Sequence, residues 1–228
     1  MSEKYYTDRL YPLQDRVLKE IEKCNTFLYL TGGTVVSRLY LHHRYSDDLD
    51  LFSNQHSGFE KEIDRVTQHL KESFEIDLQV KEEAYGRAFV KEGDLLLKID
   101  FVNDVGFHAG ETINSPLYSR TDNWKNILSN KITALTREEG KDAADIIYMC
   151  LRYSFNWQDI INDAKSKDSW IDEVNASKLI HDLKIEKVKK VKWITEPDFQ
   201  EIENHLKTIA KDILLGGDNS LAKAFPHV

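Results

Sequence analysis

The chain has 228 residues, 41% of them hydrophobic, which is enough for one large domain or two small ones with a real core. Its net charge of −8, from 31 basic and 39 acidic residues, argues against a protein that coats nucleic acid through its overall field. The chain has no run of about 18 apolar residues to span a membrane, no N-terminal secretory signal, and two cysteines, too few for a disulfide framework. We therefore expect a cytoplasmic globular protein with no membrane partner.

Hydrophobic spacing predicts a helix and then a short strand at the start of the chain. Leu10, Leu13, Val17 and Ile21 recur at helical intervals. The apolar run 27–30 that follows is typical of a strand in a buried sheet. We expect the first helix to pack on this sheet.

Two glycines, Gly32 and Gly33, follow the predicted strand and open a short apolar helix that continues with Thr34. Backbone N–H groups at a helix N-terminus bind phosphate well, and glycine allows a triphosphate to come close to the chain. A Gly-Gly pair alone is more often a loop corner. Together with the acidic motif that follows, it indicates a nucleotide-binding turn.

The acidic motif consists of Asp48 and Asp50, separated by one residue in a predicted strand. Because a strand alternates faces, both carboxylates project from one face while Leu49 and Leu51 enter the core. Neighbouring carboxylates repel each other, so something positive should sit between them, and hard oxygen ligands suit Mg²⁺. The alternative is a solvated strand end, which is the commoner reading of an isolated Asp-x-Asp.

A third carboxylate comes from the next part of the chain, where a helix over 59–73 precedes three strand-like runs. Asp100 is an isolated charge in the last run, which spans 95–102, and a buried strand rarely carries one without cause. Two-metal phosphoryl transfer needs enough ligands for ions about 3.5–4 Å apart. We therefore expect Asp100 to be a third metal ligand, and the alternative is that it marks the exposed end of its strand. The other two runs span residues 75–81 and 87–91.

After the break at residues 114–116 the pattern is helical to the end of the chain. The predicted helices span residues 122–136, 140–154, 157–166, 174–182 and 198–213. The fold class is therefore α/β: a small mixed sheet flanked by helices over residues 1–118, followed by a helical C-terminal region over residues 119–228. Residues 216–228 are expected to form a loose terminus.

Three charged residues of the helical region are further candidates for the site. Lys131 lies along the edge of an apolar helix face, from which a long cation can reach triphosphate oxygens and neutralise the leaving pyrophosphate. Asp142 and Asp145 share a face of the next helix, where Arg137 and Lys141 could pair with them. The alternatives are a surface lysine and, for Asp142, a first-turn residue favoured by the helix dipole.

The order of these motifs resembles the polymerase-β-like nucleotidyltransferase superfamily. More narrowly, Gly32 through Arg38 and Arg44 through Phe52 resemble the AbiEii/AbiGii toxin family. That family's downstream lysine, arginine and Asp-x-x-Asp are matched by Lys131, Arg137 and residues 142–145. The resemblance covers residues 30–148, and it implies the toxin half of a bacterial abortive-infection or toxin–antitoxin pair.

The resemblance also implies Mg²⁺ as cofactor, an NTP as substrate and a cognate antitoxin protein as partner. Some members of the family add nucleotides to the acceptor end of tRNA. Many relatives in the wider superfamily have Gly-Ser, whose hydroxyl helps to hold a phosphate. Here Thr34 or Ser46 would have to supply that hydroxyl, and the sequence does not decide between them.

A lysine-rich segment near the C-terminus is a candidate for RNA contact. Lys184, Lys187, Lys189, Lys190 and Lys192 are interleaved with valines and precede a tryptophan. Such a patch can contact an RNA backbone, and a solvated helix face explains it equally well.

We therefore predict a Mg²⁺-dependent transfer of a nucleoside monophosphate from an NTP to an acceptor hydroxyl, preferably at the 3′ end of tRNA. Asp48 and Asp50 hold the nucleotide's metal, and Asp100 shares a second metal and takes the proton of the attacking hydroxyl. Lys131 neutralises the leaving group, and Asp142 is a further catalytic candidate. One alternative is a protein or small-molecule acceptor, and another is a catalytically silent nucleotide-binding partner protein.

Overall fold

The computed structural model describes residues 3–224, with side chains described as far as residue 222. The chain divides into two compact units. The first unit contains Met1–Leu39, Tyr45–Gly106 and Glu111–Asn123, and the second contains Tyr40–Arg44, Phe107–Gly110 and Trp124–Val228. The domain limits expected from the sequence, 1–118 and 119–228, stay a prediction.

Helices and strands alternate in the first half of the chain. The helices are α1 (Glu3–Tyr5), α2 (Tyr11–Lys23), α3 (Gly32–Val35) and α4 (Phe59–Leu70). A π-helical segment, Tyr6–Leu10, joins α1 to α2, and another, Val36–Leu41, continues α3. The strands are β1 (Tyr29–Thr31), β2 (Leu49–Asn54), β3 (Glu75–Lys81), β4 (Tyr85–Glu92) and β5 (Leu95–Asp104).

The strands form one five-stranded sheet with the order β1-β2-β5-β4-β3. β2 and β5 pair in parallel, whereas the other neighbours are antiparallel, so the sheet is mixed. This confirms the predicted α/β fold class with a small mixed sheet flanked by helices. The parallel pair is decisive for the site, because it sets two acidic strands side by side.

The core of the first unit follows from the period of its strands and helices. In β5 the inward residues Leu97, Ile99 and Phe101 are fully buried, as the alternation of strand side chains requires. Helix α4 packs on β3 and β4. It comes so close that a Cβ at Gly86 would lie 2.7 Å from Ile63 Cδ1, so a larger residue there would force the Ile63 side chain to move.

The second unit is helical, and within residues 124–224 an α-helix lies in each of the five predicted stretches. The helices are α5 (Trp124–Thr133), α6 (Gly140–Arg152), α7 (Trp157–Lys167), α8 (Glu173–His181), α9 (Ile185–Lys189) and α10 (Phe199–Leu215). The additional helix, α9, lies in the lysine-rich segment. Only Val188 of this short helix is buried, so its sequence carries almost no hydrophobic period.

The prediction of a loose terminus after residue 216 is wrong for the residues that the structure describes. The Asn219 amide donates hydrogen bonds to the backbone oxygens of Cys150 and Tyr153, both at 2.7 Å. Trp157 N donates to Gly217 O at 2.8 Å. Residues 225–228 lie outside the described part of the chain. Among the described residues, no helix combines the length and apolar character that a membrane span needs.

Candidate active site

The parallel pairing of β2 with β5 places charged side chains in two adjacent rows on one face of the sheet. The register sets Asp50 beside Asp100. Residues two apart on a strand share a face, so Asp48, immediately before β2, and Lys98 of β5 come next to each other in the same way. Leu49 is fully buried on the opposite face. Asp48 and Asp50 therefore lie beside both a lysine and an aspartate of β5.

Lys98 lies between two of the predicted metal ligands. Its Nζ is 2.9 Å from Asp48 Oδ2 and 3.0 Å from Asp100 Oδ2. Burial acts to lower the pKa of Lys98, but hydrogen bonds with both carboxylates outweigh it, so the pKa lies above its ordinary value. The sequence predicts a positive charge between Asp48 and Asp50, whereas the structure places an ammonium of the protein itself between Asp48 and Asp100.

Asp100 also accepts hydrogen bonds from β4. Arg87, which is opposite Asp100 in the register, donates through Nε at 2.7 Å and Nη2 at 3.0 Å, and Tyr85 OH donates at 2.9 Å. Burial would raise the pKa of Asp100, but these donors and Lys98 hold it below its ordinary value. Asp100 is 9% exposed in the middle of β5, so the alternative of an exposed strand end is wrong.

The glycine turn lies directly against Asp50. Gly32 has φ +72°, a backbone conformation that favours glycine, and a Cβ there would lie 2.0 Å from Asp50 Oδ2. Thr31, the residue before the turn, pairs with Asp50 across β1 and β2. The structure therefore brings together the predicted phosphate-binding turn and the acidic motif, and a side chain at position 32 would displace the carboxylate.

Thr34 and Ser46 connect the glycine helix to the segment before β2. Both side chains are buried, and Thr34 Oγ1 donates to Asp48 O and lies 3.1 Å from Ser46 Oγ. Both hydroxyls therefore have partners within the protein, and the hydrogen bond from Thr34 holds the backbone of Asp48 in place. Their predicted contact with a phosphate stays a prediction.

Residues of the N-terminal helices hold the same segment, and the sequence did not single them out. The buried Gln14 amide donates to Asp47 O at 3.2 Å and to Ser46 O at 3.4 Å. Tyr6 OH donates to Asp47 Oδ1 at 3.0 Å. Gln14 Oε1 in turn accepts from Arg38 Nη1 at 3.1 Å. The sequence shows only that Gln14 is a polar residue next to the apolar positions of this helix. Its complete burial is visible in the structure.

The second unit contains its own charged cluster, which we call the buried ion cluster: His43, Arg44, Lys131, Asp142 and Asp145. Lys131 Nζ is 2.7 Å from Asp142 Oδ1 and 2.8 Å from Asp145 Oδ2. Both aspartates are completely buried, and Lys131 is 7% exposed. The alternative of a surface lysine is therefore wrong.

Asp145 is the most heavily bonded member of the buried ion cluster. Arg44 donates to its two oxygens through Nε and Nη2, both at 2.7 Å, and His43 Nε2 lies 3.0 Å from Oδ1. Burial would raise the pKa of Asp145, but the charges of Arg44 and Lys131 hold it well below its ordinary value. Burial lowers the pKa of His43. The cluster thus compensates its own charges.

Of the two residues predicted to pair with Asp142 and Asp145, Arg137 does so. Arg137 Nη2 lies 3.1 Å from Asp142 Oδ2, as predicted, whereas Lys141 is exposed. Asp142 does lie in the first turn of α6, but it is buried and paired, so the helix dipole alone does not explain it. The catalytic roles of Lys131 and Asp142 stay predictions.

The carboxylates of the first unit suit a divalent cation in number and chemistry. Over residues 3–224, no group of three or more His, Cys, Asp or Glu side chains is arranged to hold a metal ion. Asp48 and Asp100 nevertheless hold a cation between them, the Lys98 ammonium. Mg²⁺ commonly takes one or two carboxylates and completes its shell with water and phosphate oxygens. Two hard ligands around a cation position therefore fit such an ion.

The lysine-rich segment is less basic than its composition suggests. Lys187 Nζ lies 2.6 Å from Glu138 Oε2, and Lys189 Nζ lies 2.8 Å from Glu186 Oε1. Lys184 and Lys190 are exposed. The positive charge that this segment offers to a polyanion is therefore concentrated on fewer lysines than the sequence indicated.

Comparison with known proteins identifies a matching family and similar structures. Residues 16–219 match the family model described as "Nucleotidyl transferase AbiEii toxin, Type IV TA system". A Helicobacter pylori protein assigned as a nucleotidyltransferase has a similar structure, with a TM-score of 0.64, 20% identity and 100% of both chains covered. MenT4, a nucleotidyltransferase toxin from Mycobacterium tuberculosis, has a TM-score of 0.63 and 16% identity, with 94% of this chain and 86% of that chain covered. At such identities the structures show the shared fold. A comparison with curated proteins found no match.

Proposed function

The chain belongs to the AbiEii nucleotidyl transferase toxin family, and we propose that it transfers a nucleoside monophosphate from an NTP to an RNA hydroxyl in a Mg²⁺-dependent reaction. The family identifies a nucleotidyltransferase and the toxin of a toxin–antitoxin system, with an NTP substrate and an antitoxin partner. The metal and the RNA acceptor are the proposed parts. The observation that carries the proposal is a cation held between Asp48 and Asp100, next to the register pair of Asp50 and Asp100.

Each residue of the first unit has a distinct task in this proposal. Asp48, Asp50 and Asp100 would hold Mg²⁺, which neutralises phosphate charge and makes the acceptor hydroxyl more acidic. The backbone N–H groups of Gly32 and Gly33 would bind triphosphate oxygens, because the turn has no side chains to keep them away.

The second task predicted for Asp100, taking the proton of the acceptor, has less support. Arg87, Lys98 and Tyr85 already donate to its oxygens, and its pKa lies below the ordinary value. A carboxylate so heavily hydrogen-bonded is a poor base. We therefore assign to Asp100 the holding of charge rather than the uptake of a proton.

An assay of nucleotide transfer tests the proposal directly. The protein is incubated with each labelled NTP, Mg²⁺ and total cellular RNA, and we expect label in RNA and release of pyrophosphate. Both signals should disappear with EDTA. If the label is found in protein or in small molecules instead, RNA is not the acceptor. Binding of Mg²⁺–NTP without pyrophosphate release, with any acceptor, would mean a silent nucleotide-binding protein.

The RNA acceptor predicts a measurable dependence on salt. Replacing Lys184 and Lys190 with glutamine should weaken RNA binding and flatten its salt dependence, because fewer counterions are released. The control is the same change at Lys187 and Lys189, which have acidic partners and should contribute less. NTP binding should be unchanged in both variants. An unchanged salt slope would show that this segment does not contact RNA.

A further inference from the structure

Lys98 has no task in the reaction proposed above, although its amine lies at the centre of the candidate site. Its Nζ bridges Asp48 and Asp100, and its side chain is 26% exposed. Arg87, the other cation nearby, binds only Asp100 of these two carboxylates. Lys98 is therefore the cation that joins the two carboxylates.

We propose that Lys98 is an exchangeable counter-ion, which holds the two carboxylates while no metal is bound and moves away when a divalent cation binds. The inference rests on the proposed function, because it assumes that Asp48 and Asp100 are metal ligands. It adds a condition on metal binding: the metal must compete with a charge of the protein itself.

Electrostatics requires the exchange. Asp48 and Asp100 would hold a divalent cation through carboxylate oxygens that lie 2.9 and 3.0 Å from Lys98 Nζ, so the ammonium and the metal would compete for the same two carboxylates. Like charges that share two carboxylates repel strongly in a partly buried site. The four-carbon stem of lysine allows the amine to swing out. Arg87, by contrast, can stay on Asp100 beside the metal.

The exchange also couples the metal to the nucleotide. If a metal ion binds alone, the displaced Lys98 ammonium leaves both carboxylates and gains only water. If the ion arrives with a triphosphate, the ammonium can pair with a phosphate oxygen, so every charge keeps a partner. The protein should therefore bind divalent cations weakly by themselves and much more tightly together with an NTP.

The test is a titration with Mn²⁺ alone, followed by electron paramagnetic resonance, on the full chain without nucleotide. Lys98→Met should bind Mn²⁺ at least about tenfold more tightly than the natural protein, because the competing charge is gone. The control is Lys91→Met on β4, whose lysine pairs with Glu75 at 3.5 Å, and its affinity should be unchanged. Adding Asp48→Asn to Lys98→Met should remove the gain.

Stability and nucleotide coupling provide independent readouts. In EDTA, Lys98→Met should melt at a lower temperature than the natural protein, since two carboxylates lose their shared cation, and Mn²⁺ should restore it. A non-hydrolysable NTP analogue should tighten Mn²⁺ binding strongly in the natural protein and weakly in Lys98→Met. Lys98→Gln, a neutral polar variant, provides the same measurement if Lys98→Met does not fold.

Equal or weaker Mn²⁺ binding by the folded Lys98 variants would overturn the inference. This result is distinguishable from failure of the proposed function, because the titration involves no transfer. If the variants bind Mn²⁺ more tightly but the natural protein transfers NMP to no acceptor, the counter-ion role of Lys98 is supported and the enzyme reaction is refuted. If the natural protein transfers NMP but the Lys98 variants bind Mn²⁺ with unchanged affinity, the enzyme reaction is supported and the counter-ion role of Lys98 is refuted.

Discussion

Asp48→Asn is expected to reduce nucleotide transfer at least about a thousandfold, since a bound metal supplies several kcal/mol of charge stabilisation in the transition state. The amide is neutral and is a much weaker ligand for Mg²⁺ than the carboxylate. It also removes the charge of one of the two carboxylates that hold Lys98. Transfer of label from NTP to acceptor, per folded molecule, is the measurement.

The fold should survive this change. The Asp48 side chain is 32% exposed and faces the site, and a partly exposed ion pair contributes only about 0–1 kcal/mol to stability. Thermal unfolding should therefore change little. A mutant that melts early, yet transfers at the normal rate per folded molecule, would identify Asp48 as a structural residue.

The neighbouring aspartate provides a matched control. Asp47 precedes Asp48, and its Oδ1 accepts a hydrogen bond from Tyr6 OH at 3.0 Å. Asp47→Asn keeps an oxygen that can accept this bond. We expect near-normal transfer from Asp47→Asn, so that the loss in Asp48→Asn reports on position and not merely on one negative charge fewer.

The sequence predicts the fold to the extent that hydrophobic period determines it. The alternation in β2 and β5 and the helical spacing in α4 and α10 place most elements within a few residues. Helix α9 was missed because its only buried residue is Val188. Asn219 was missed because a single buried asparagine, bonded to two backbone oxygens, leaves no periodic signal.

The candidate site is predictable only where its residues are close in the chain. Lys98 and Asp100 have the same spacing as Asp48 and Asp50, a signal that could have identified the lysine. Its meaning depends on the parallel pairing of β2 with β5, which is a non-local property. Likewise, Arg44 and Asp145 are 101 residues apart, so the buried ion cluster could not be read from local spacing.

Lys131→Met is expected to lower the free energy of unfolding by about 3–5 kcal/mol, the usual cost of leaving buried charges without a partner. The amine contacts both Asp142 and Asp145 in the buried ion cluster, and both carboxylates are completely buried. Methionine has a similar volume, so the loss reports on charge rather than on a cavity. Chemical denaturation at neutral pH measures it, with the exposed Lys141→Met on α6 as control, for which we expect less than about 0.5 kcal/mol.

The same variant tests the role of Lys131 in catalysis. A lysine that neutralises the departing pyrophosphate acts mainly in the transition state, so kcat per folded molecule should fall far more than NTP affinity. A lysine with only a structural role would leave kcat per folded molecule unchanged. Adding Asp142→Asn to Lys131→Met removes one charge of each sign and should restore part of the stability. If stability recovers but kcat does not, the charges of Lys131 and Asp142 contribute to the reaction. If both recover, the role of Lys131 is to stabilise the buried ion cluster.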